Sequence, residues 1–391
     1  IWLGLFSYRH VEYSDDLWWT FLRDADASRF LRAMTGASIV YLGLVTWRLM
    51  TGFHARHVPA GEDSLERAAA ILPSAECGGP DANLALSGDK RFLFSASGQG
   101  FIMYGQRGRS LISMAGPVGR RDECRELIRA FTELADRQAL WPVFYAVRRD
   151  ILPELVEEGF VLQKIGETAI VPLQDFSMEG SARARLRQAF RRLERDAISF
   201  RVAAPEEVAV LLPQLRRVSD AWLEKHHGTE KSFTLGRFEP AFLTRFPVAV
   251  LEQGGTVIAF ANLFPAPAQG SFAVDMMRYD PTAPGGLMDT LFVSLILWGK
   301  ENGYSGFDLG MAPLAGLEDY RLAPALTRLG AFLYRHGDPF YGFDGLRQYK
   351  SKFAPDWEPV YMAGPSIRKV GIALGDVSLL TSGGIAGMLK R

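Results

Sequence analysis

Asp275 and Arg278 stand three residues apart in Ser271–Tyr279, an apolar run that otherwise offers nothing chemical. Phe272, Val274 and Met276 alternate there with Ala273, Asp275 and Met277, the period of a β-strand. A carboxylate is thereby set inside an otherwise apolar element. Pro284-Gly285-Gly286 then breaks the chain, and Leu287, Leu291, Val293, Leu295 and Leu297 fill a helix that ends at Asn302-Gly303. Amide groups at a helix start, with glycines in front and no side chains nearby, form a seat for an anion or a polarised carbonyl. Phe307-Asp308-Leu309-Gly310 reads as the next strand, parallel to the first. Asp275, Arg278, the Gly285-Gly286 turn and Asp308 are therefore expected to converge at one sheet edge, where charge-stabilised chemistry would take place.

The surrounding chain reads as scaffold for that edge. Ser64–Leu72 and Asp122–Leu140 have helical patterns, and Arg91–Ala96, Gly100–Gln106 and Arg109–Pro117 read as strands, the last two joined as a hairpin through Arg107-Gly108. Trp141–Val147, Ile151–Glu158 and Val161–Pro172 follow as strand, short helix and strands. Downstream, Pro205–Lys225 is helical, and Val248–Glu252 and Thr256–Phe264 form a hairpin across Gln253-Gly254-Gly255. The order predicts an α/β chain of tandem GCN5-related N-acetyltransferase-like units, mixed sheets flanked by helices. The expected division is a membrane-associated segment with linker over 1–55, a first unit over 56–180, a basic connecting helix over 181–200, and a second unit over 201–391 carrying the site.

Composition narrows the function. The 391 residues are 48% hydrophobic, enough for sizeable cores, and 44 basic residues balance 44 acidic ones. No global charge calls for nucleic acid, so such a partner needs a local patch. That patch is SARARLRQAFRRLER, residues 181–195, with Arg183, Arg187, Arg191 and Arg195 at helical spacing, Arg185 and Arg192 beside them, and Glu194 the one acidic residue. Phosphate of RNA or of anionic lipid would satisfy it; a solvated helix face is the bland alternative. Cys77 and Cys124 are far apart in sequence without metal-ligand spacing and read as reduced thiols.

The chain opens on IWLGLF, as though continuing from something before it. From Ala33 to Trp47 there are 15 residues without charge, bounded by Arg32 and Arg48, against the roughly 20 a span needs. Snorkelling arginines and the aromatic residues Trp18, Trp19, Tyr41 and Trp47 would extend it, so membrane association is expected, with a buried helix of a soluble protein as the alternative.

At Phe340–Ala363, FYGFDGLRQYKSKFAPDWEPVYMA, the sequence resembles the cytosolic domain of the aminoacyl-phosphatidylglycerol synthases, the multiple peptide resistance factor family. Phe340-Tyr341, Gly345-Leu346-Arg347, Tyr349-Lys350, Lys352-Phe353, Pro355 and Trp357 carry the resemblance, with Asp275 to Arg278, Gly286, Met288-Asp289, Asp220 to Leu223, and Phe233 to Phe238. It extends over about residues 60–365. The resemblance implies an enzyme of the bacterial inner membrane whose catalytic domains face the cytoplasm. These would pass an amino acid, most often lysine, from aminoacyl-tRNA to phosphatidylglycerol, lowering membrane negative charge and giving resistance to cationic peptides. It implies no cofactor beyond the aminoacyl-tRNA donor, and a homo-oligomer is compatible with it. Exchange of one ester for another is nearly balanced, so catalysis reduces to positioning and charge stabilisation.

On that resemblance Asp275 would hold the substrate ammonium, Arg278 the terminal adenosine phosphate or ester carbonyl, and Lys350 or Lys352 the developing oxyanion or lipid phosphate. Asp308, Glu230, Lys231, Gly285, Gly286, Arg347 and Tyr341 complete the expected substrate site. Asp275 and Arg278 forming a structural ion pair remains the alternative, as does an exposed strand or helix end for Lys350 and Lys352. Two other functions compete. An acetyl-CoA-dependent N-acyltransferase would need a Gln/Arg-x-x-Gly-x-Gly/Ala loop, which Thr282-Ala283-Pro284-Gly285-Gly286 does not supply. A non-catalytic, membrane-tethered module binding tRNA or lipid would need only the arginine helix.

Overall fold

The protein is seen here as a computed structural model that describes residues 29–50, 61–226, 228–317 and 343–383. The chain divides into two units, residues 1–55 and 56–391. In the first, Arg29–Met50 is a single helix with Ile39, Val40, Tyr41, Leu42 and Leu44 exposed. Among the described residues no helix is long and apolar enough to cross a membrane.

The second unit is organised by one sheet of eleven strands: β1 (Arg91–Phe94), β2 (Gly100–Arg107), β3 (Ser110–Gly119), β4 (Trp141–Val147), β5 (Val161–Pro172), β6 (Ile198–Ala203), β7 (Val248–Gln253), β8 (Thr256–Ala266), β9 (Ser271–Tyr279), β10 (Gly306–Pro313) and β11 (Asp356–Gly364). Their spatial order is β1-β2-β3-β4-β11-β5-β10-β9-β8-β7-β6. The mixed α/β class is as expected, and β9 and β10 are parallel as expected, joined by the Leu287–Glu301 helix. The expected separate sheets are instead fused. β5 pairs antiparallel with both β10 and β11, and β11, from the carboxy-terminal motif, inserts between β4 and β5.

A local pattern occurs twice. Antiparallel β2-β3 is followed by the Cys124–Arg137 helix and parallel β3-β4; antiparallel β8-β9 is followed by the Leu287–Glu301 helix and parallel β9-β10. In each case the parallel pairing is brief, ending at Met114 and Tyr145 in one and at Ala273 and Asp308 in the other. The register of β3 and of β9 shifts just beyond those points. A bulge strengthens local twist and re-aims side chains, so each strand parts from its parallel neighbour there.

On one face of the second half, Phe272, Val274, Phe307 and Leu309 pack with Leu291, Leu295 and Ile296 of the helix. On the other, Met276, Phe260 and Val250 pack against Val208, Leu215 and Val218 of the Pro205–Lys225 helix. Met276 thus lies opposite Val274, not beside it as strict alternation predicts. Between Val274 and Met277, β9 carries one more residue than β8, which inverts the parity beyond it. Met276 N–H loses its strand partner and donates to Asn262 Oδ1 at 2.7 Å instead.

Cys77 and Cys124, 47 residues apart, are both buried free thiols with their sulfurs 3.0 Å apart. Hydrogen bonding from Cys124 lowers the Cys77 pKa and raises that of Cys124 itself.

Candidate active site

The β9 bulge decides which groups meet. Strict alternation would set Asp275 and Arg278 on opposite faces; the extra residue turns both toward the loop that follows the Pro205–Lys225 helix. They do not pair with each other. Asp275 Oδ1 accepts from Gly236 N–H at 2.9 Å, while its Oδ2 is buried without a hydrogen-bond partner among the described residues. Gly236 is buried, and a Cβ there would overlap Asp275 Oδ2, so glycine is what allows this approach. Burial raises the Asp275 pKa to about 6, against the pull of the Gly236 N–H and the Asn262 amide.

Arg278 is 6% exposed and fully engaged. Its fork donates to both Glu230 oxygens at 2.9 Å, and Nη1 also donates to Ser219 Oγ at 2.7 Å. The guanidinium lies 5.1 Å from the Trp222 ring centroid. The expected grip on a phosphate or carbonyl is therefore taken by Glu230, one of the expected substrate residues. Arg278 ties down a strap, residues 228–239, of which Lys231 is an exposed member. Ser232 and Thr234 anchor the strap to Leu380 and Thr381.

Asp308 lies deeper, at the splay of β9 from β10, and is 2% exposed. It is ion-paired with Arg148, which follows β4, and accepts from Thr168 Oγ1 at 2.8 Å and Gly310 N–H at 2.7 Å. Burial alone would raise its pKa, but Arg148 and these donors hold it below the ordinary carboxylate range. Arg148 also reaches Asp81 at 3.6 Å, on the 3-10 turn Pro80–Ser87. Burial, with Asp308 nearby, pushes the Asp81 carboxyl up, Arg148 opposing.

Lys350, 6% exposed, donates to the carbonyls of Gly310 and Met311 at 2.8 and 3.0 Å. An extra residue of β10 relative to β5 lies between Asp308 and Met311, and Gly310 has φ +83°, a conformation that favours glycine. Burial lowers the Lys350 pKa to about 8, with Asp308 and Asp81 opposing. Asp81, Arg148, Asp308, Lys350 and Asp275 thus form one coupled electrostatic group, with Asp308 and Lys350 buried, since Asp81 also acts on Asp275 and on Lys350.

Other expected residues lie apart. Lys352 does not accompany Lys350; it is 3.3 Å from Asp289 in the first turn of the Leu287–Glu301 helix. Gly285 and Gly286 are exposed at that helix start, on the face opposite Arg278. Arg347 donates to Glu167 at 2.9 Å and stacks 5.0 Å from Trp357, bordering an open groove of about 480 Å³. Tyr341 lies outside the described residues.

The arginine helix forms over Ala184–Arg195, with Leu186 and Ala189 buried. Arg187 spends its donors on the carbonyls of Met178 and Gly180 at 2.6 Å, Arg183 on that of Lys352 at 2.7 Å, and Arg195 pairs with Asp196. Arg185 and Arg191 are exposed.

Arg148, Asp81, Thr168, Ser219 and Gly236 were missed in the sequence. Arg148 ends a strand and Gly236 lies in the Phe233 to Phe238 stretch that carries the resemblance, both usable signals; nothing local marks Asp81, Thr168 or Ser219. Among the described residues no group of His, Cys, Asp and Glu has the arrangement of a metal site.

A protein-family model described as phosphatidylglycerol lysyltransferase, C-terminal, matches residues 69–364. The phosphatidylglycerol lysyltransferase of Bacillus subtilis (strain 168) is 34% identical over 324 residues, covering 82% of this chain and 38% of that protein. The chain thus spans well under half the length of such relatives. Among solved structures, one described as the C-terminal domain of a lysylphosphatidylglycerol synthetase from Agrobacterium fabrum has a TM-score of 0.74 at 40% identity, covering 83% of this chain and 98% of that one. The structure of L-PGS from Bacillus licheniformis has a TM-score of 0.71 at 33% identity, covering 84% and 99%.

Proposed function

Because the chain belongs to the phosphatidylglycerol lysyltransferase C-terminal family, we propose that it carries the catalytic part of an enzyme that transfers a lysyl group from aminoacyl-tRNA to phosphatidylglycerol. The product is a lipid of less negative charge, which weakens attraction of cationic peptides to the bacterial membrane. In this reading the protein works at the cytoplasmic face of the inner membrane, with the 29–50 helix as a membrane-associated element. Its two halves act as tandem acyltransferase-like units, which the repeated bulge, helix and parallel-strand pattern supports.

The observation that carries this reading is the Asp275 carboxylate. One oxygen is held by Gly236 N–H, and the other is buried with no partner at hydrogen-bonding distance among the described residues, although the Asn262 amide acts on it. A buried acceptor without a partner is costly unless something fills it. The lysyl ammonium is of the right charge. Attack of a lipid glycerol hydroxyl on the ester carbonyl forms one C–O bond and, as the tetrahedral intermediate collapses, breaks the bond to the tRNA ribose. The hydroxyl proton passes to the released ribose oxygen. Lys350 is the cation assigned to the intermediate's oxyanion, and Arg278 holds the strap that seats Asp275. Arg185 and Arg191 are the arginines assigned to tRNA or lipid phosphate.

The test is transfer of labelled lysine from charged tRNA to phosphatidylglycerol vesicles. Transfer is expected from the wild type, with loss in Asp275→Asn at unchanged folding. Absence of transfer from every charged tRNA offered would overturn the reading.

A further inference from the structure

Lys90 is 0% exposed, a burial that lysine rarely has without a purpose. Its Nζ donates to Asp89 Oδ1 at 2.7 Å and Ser87 Oγ at 2.8 Å, and lies 5.6 Å from the Phe233 ring centroid. Asp89 Oδ2 in turn accepts from Phe233 N–H at 2.7 Å. Phe233 is a bulky residue at φ +63°, a conformation that L side chains resist. Its ring is buried so closely against β2 that a Cβ on Gly105 would come within 2.7 Å of it. Three residues on, Gly236 N–H meets Asp275. The strained backbone at Phe233 is thus fastened from the first half of the sheet, and what it delivers is the hydrogen bond to the candidate substrate carboxylate.

We propose that Lys90 is a positioning residue for Asp275: through Asp89 it fixes the Phe233–Gly236 backbone against the carboxylate. This rests on the reading of Asp275 as the seat of the substrate ammonium. The groups acting on Asp275 are Lys90, which favours its charge, Asp81, which opposes it, and the Gly236 N–H and Asn262 amide, which favour it. Burial lowers the Lys90 pKa, Asp89 and then Asp275 favour its charge, and Arg237 opposes it.

The experiment compares wild type, Lys90→Met and Lys90→Gln in lysyl transfer across pH. Glutamine can donate to Asp89 and Ser87 without charge, so it separates hydrogen bonding from electrostatics. In both variants kcat is expected to fall about tenfold or more, with KM for charged tRNA changed by less than about twofold. The acid limb of the rate should move up by about half a pH unit or more, because a neighbouring cation has been removed. A purely structural lysine would be rescued by glutamine, and a wild-type acid limb in folded Lys90→Gln overturns the proposal. Titration of the Asp275 carboxyl by ¹³C NMR, its resonance identified by its absence in Asp275→Asn, reads the same shift without any turnover. A protein that fails to transfer lysine but shows the shift would count against the proposed function and leave the Lys90 link standing. Where Lys90→Met does not fold, Lys90→Gln decides.

Discussion

Arg148 and Asp308, 160 residues apart in the chain, form an ion pair across the middle of the sheet. Arg148 lies just beyond the brief parallel pairing of β3 with β4, and Asp308 ends that of β9 with β10, so the pair links the two splay points. Asp81 and Lys350 interact with it, and Asp81 in turn acts on Asp275.

Replacing Arg148 with Met leaves Asp308 buried and unpaired, a change that costs about 3–5 kcal/mol. In the wild type the pairing of Asp308 stabilises fully above the ordinary carboxylate pKa and is lost as pH falls through its depressed folded value. In Arg148→Met that preference inverts, because an unpaired buried carboxylate favours its proton. Thermal melts should show the variant's deficit larger at pH 7 than at pH 5; a pH-independent deficit would contradict the assignment.

Transfer is expected to follow a bell in pH. Asp275, raised to about 6, loses its charge as pH falls through that value, and Lys350, lowered to about 8, loses its proton above that one. Rates of tRNA-dependent transfer, corrected for spontaneous ester hydrolysis, provide the check. Lys350→Gln should lower kcat by about 100-fold or more, as for loss of a preorganised oxyanion donor.

Arg278→Lys keeps the charge but cannot match both oxygens of Glu230 and Ser219 together. Amide hydrogen exchange in residues 228–239 should quicken and transfer should fall, while tRNA affinity stays near wild type. Unchanged exchange there would show that Arg278 does not hold the strap.

Of the arginine helix, Arg185→Ala with Arg191→Ala should reduce the salt dependence of tRNA or vesicle binding by a slope of about 1–2 without loss of stability. Arg187→Ala should instead lower the melting temperature, since its donors hold the Met178 and Gly180 carbonyls. Equal salt slopes in wild type and the double variant would remove this helix from phosphate binding.

The sequence by itself determined the elements whose causes are local. The Leu287–Glu301 helix, the β7-β8 hairpin and the parallel strand holding Asp308 follow from apolar period and glycine punctuation within a few residues. Asp275 was visible because a carboxylate in an apolar strand is unusual anywhere. Tertiary structure decided what those residues touch. A single extra residue in β9, invisible to period counting, turned Asp275 and Arg278 to the same side. Pairing of β5 with β10 and β11 fused two expected sheets into one and brought Arg148 to Asp308. Spacing of one residue separated Lys350 from Lys352: one donates to the strand end at Gly310, while the other meets Asp289. Long-range pairing and bulges depend on which surfaces bury each other, and that information belongs to no short stretch of the chain.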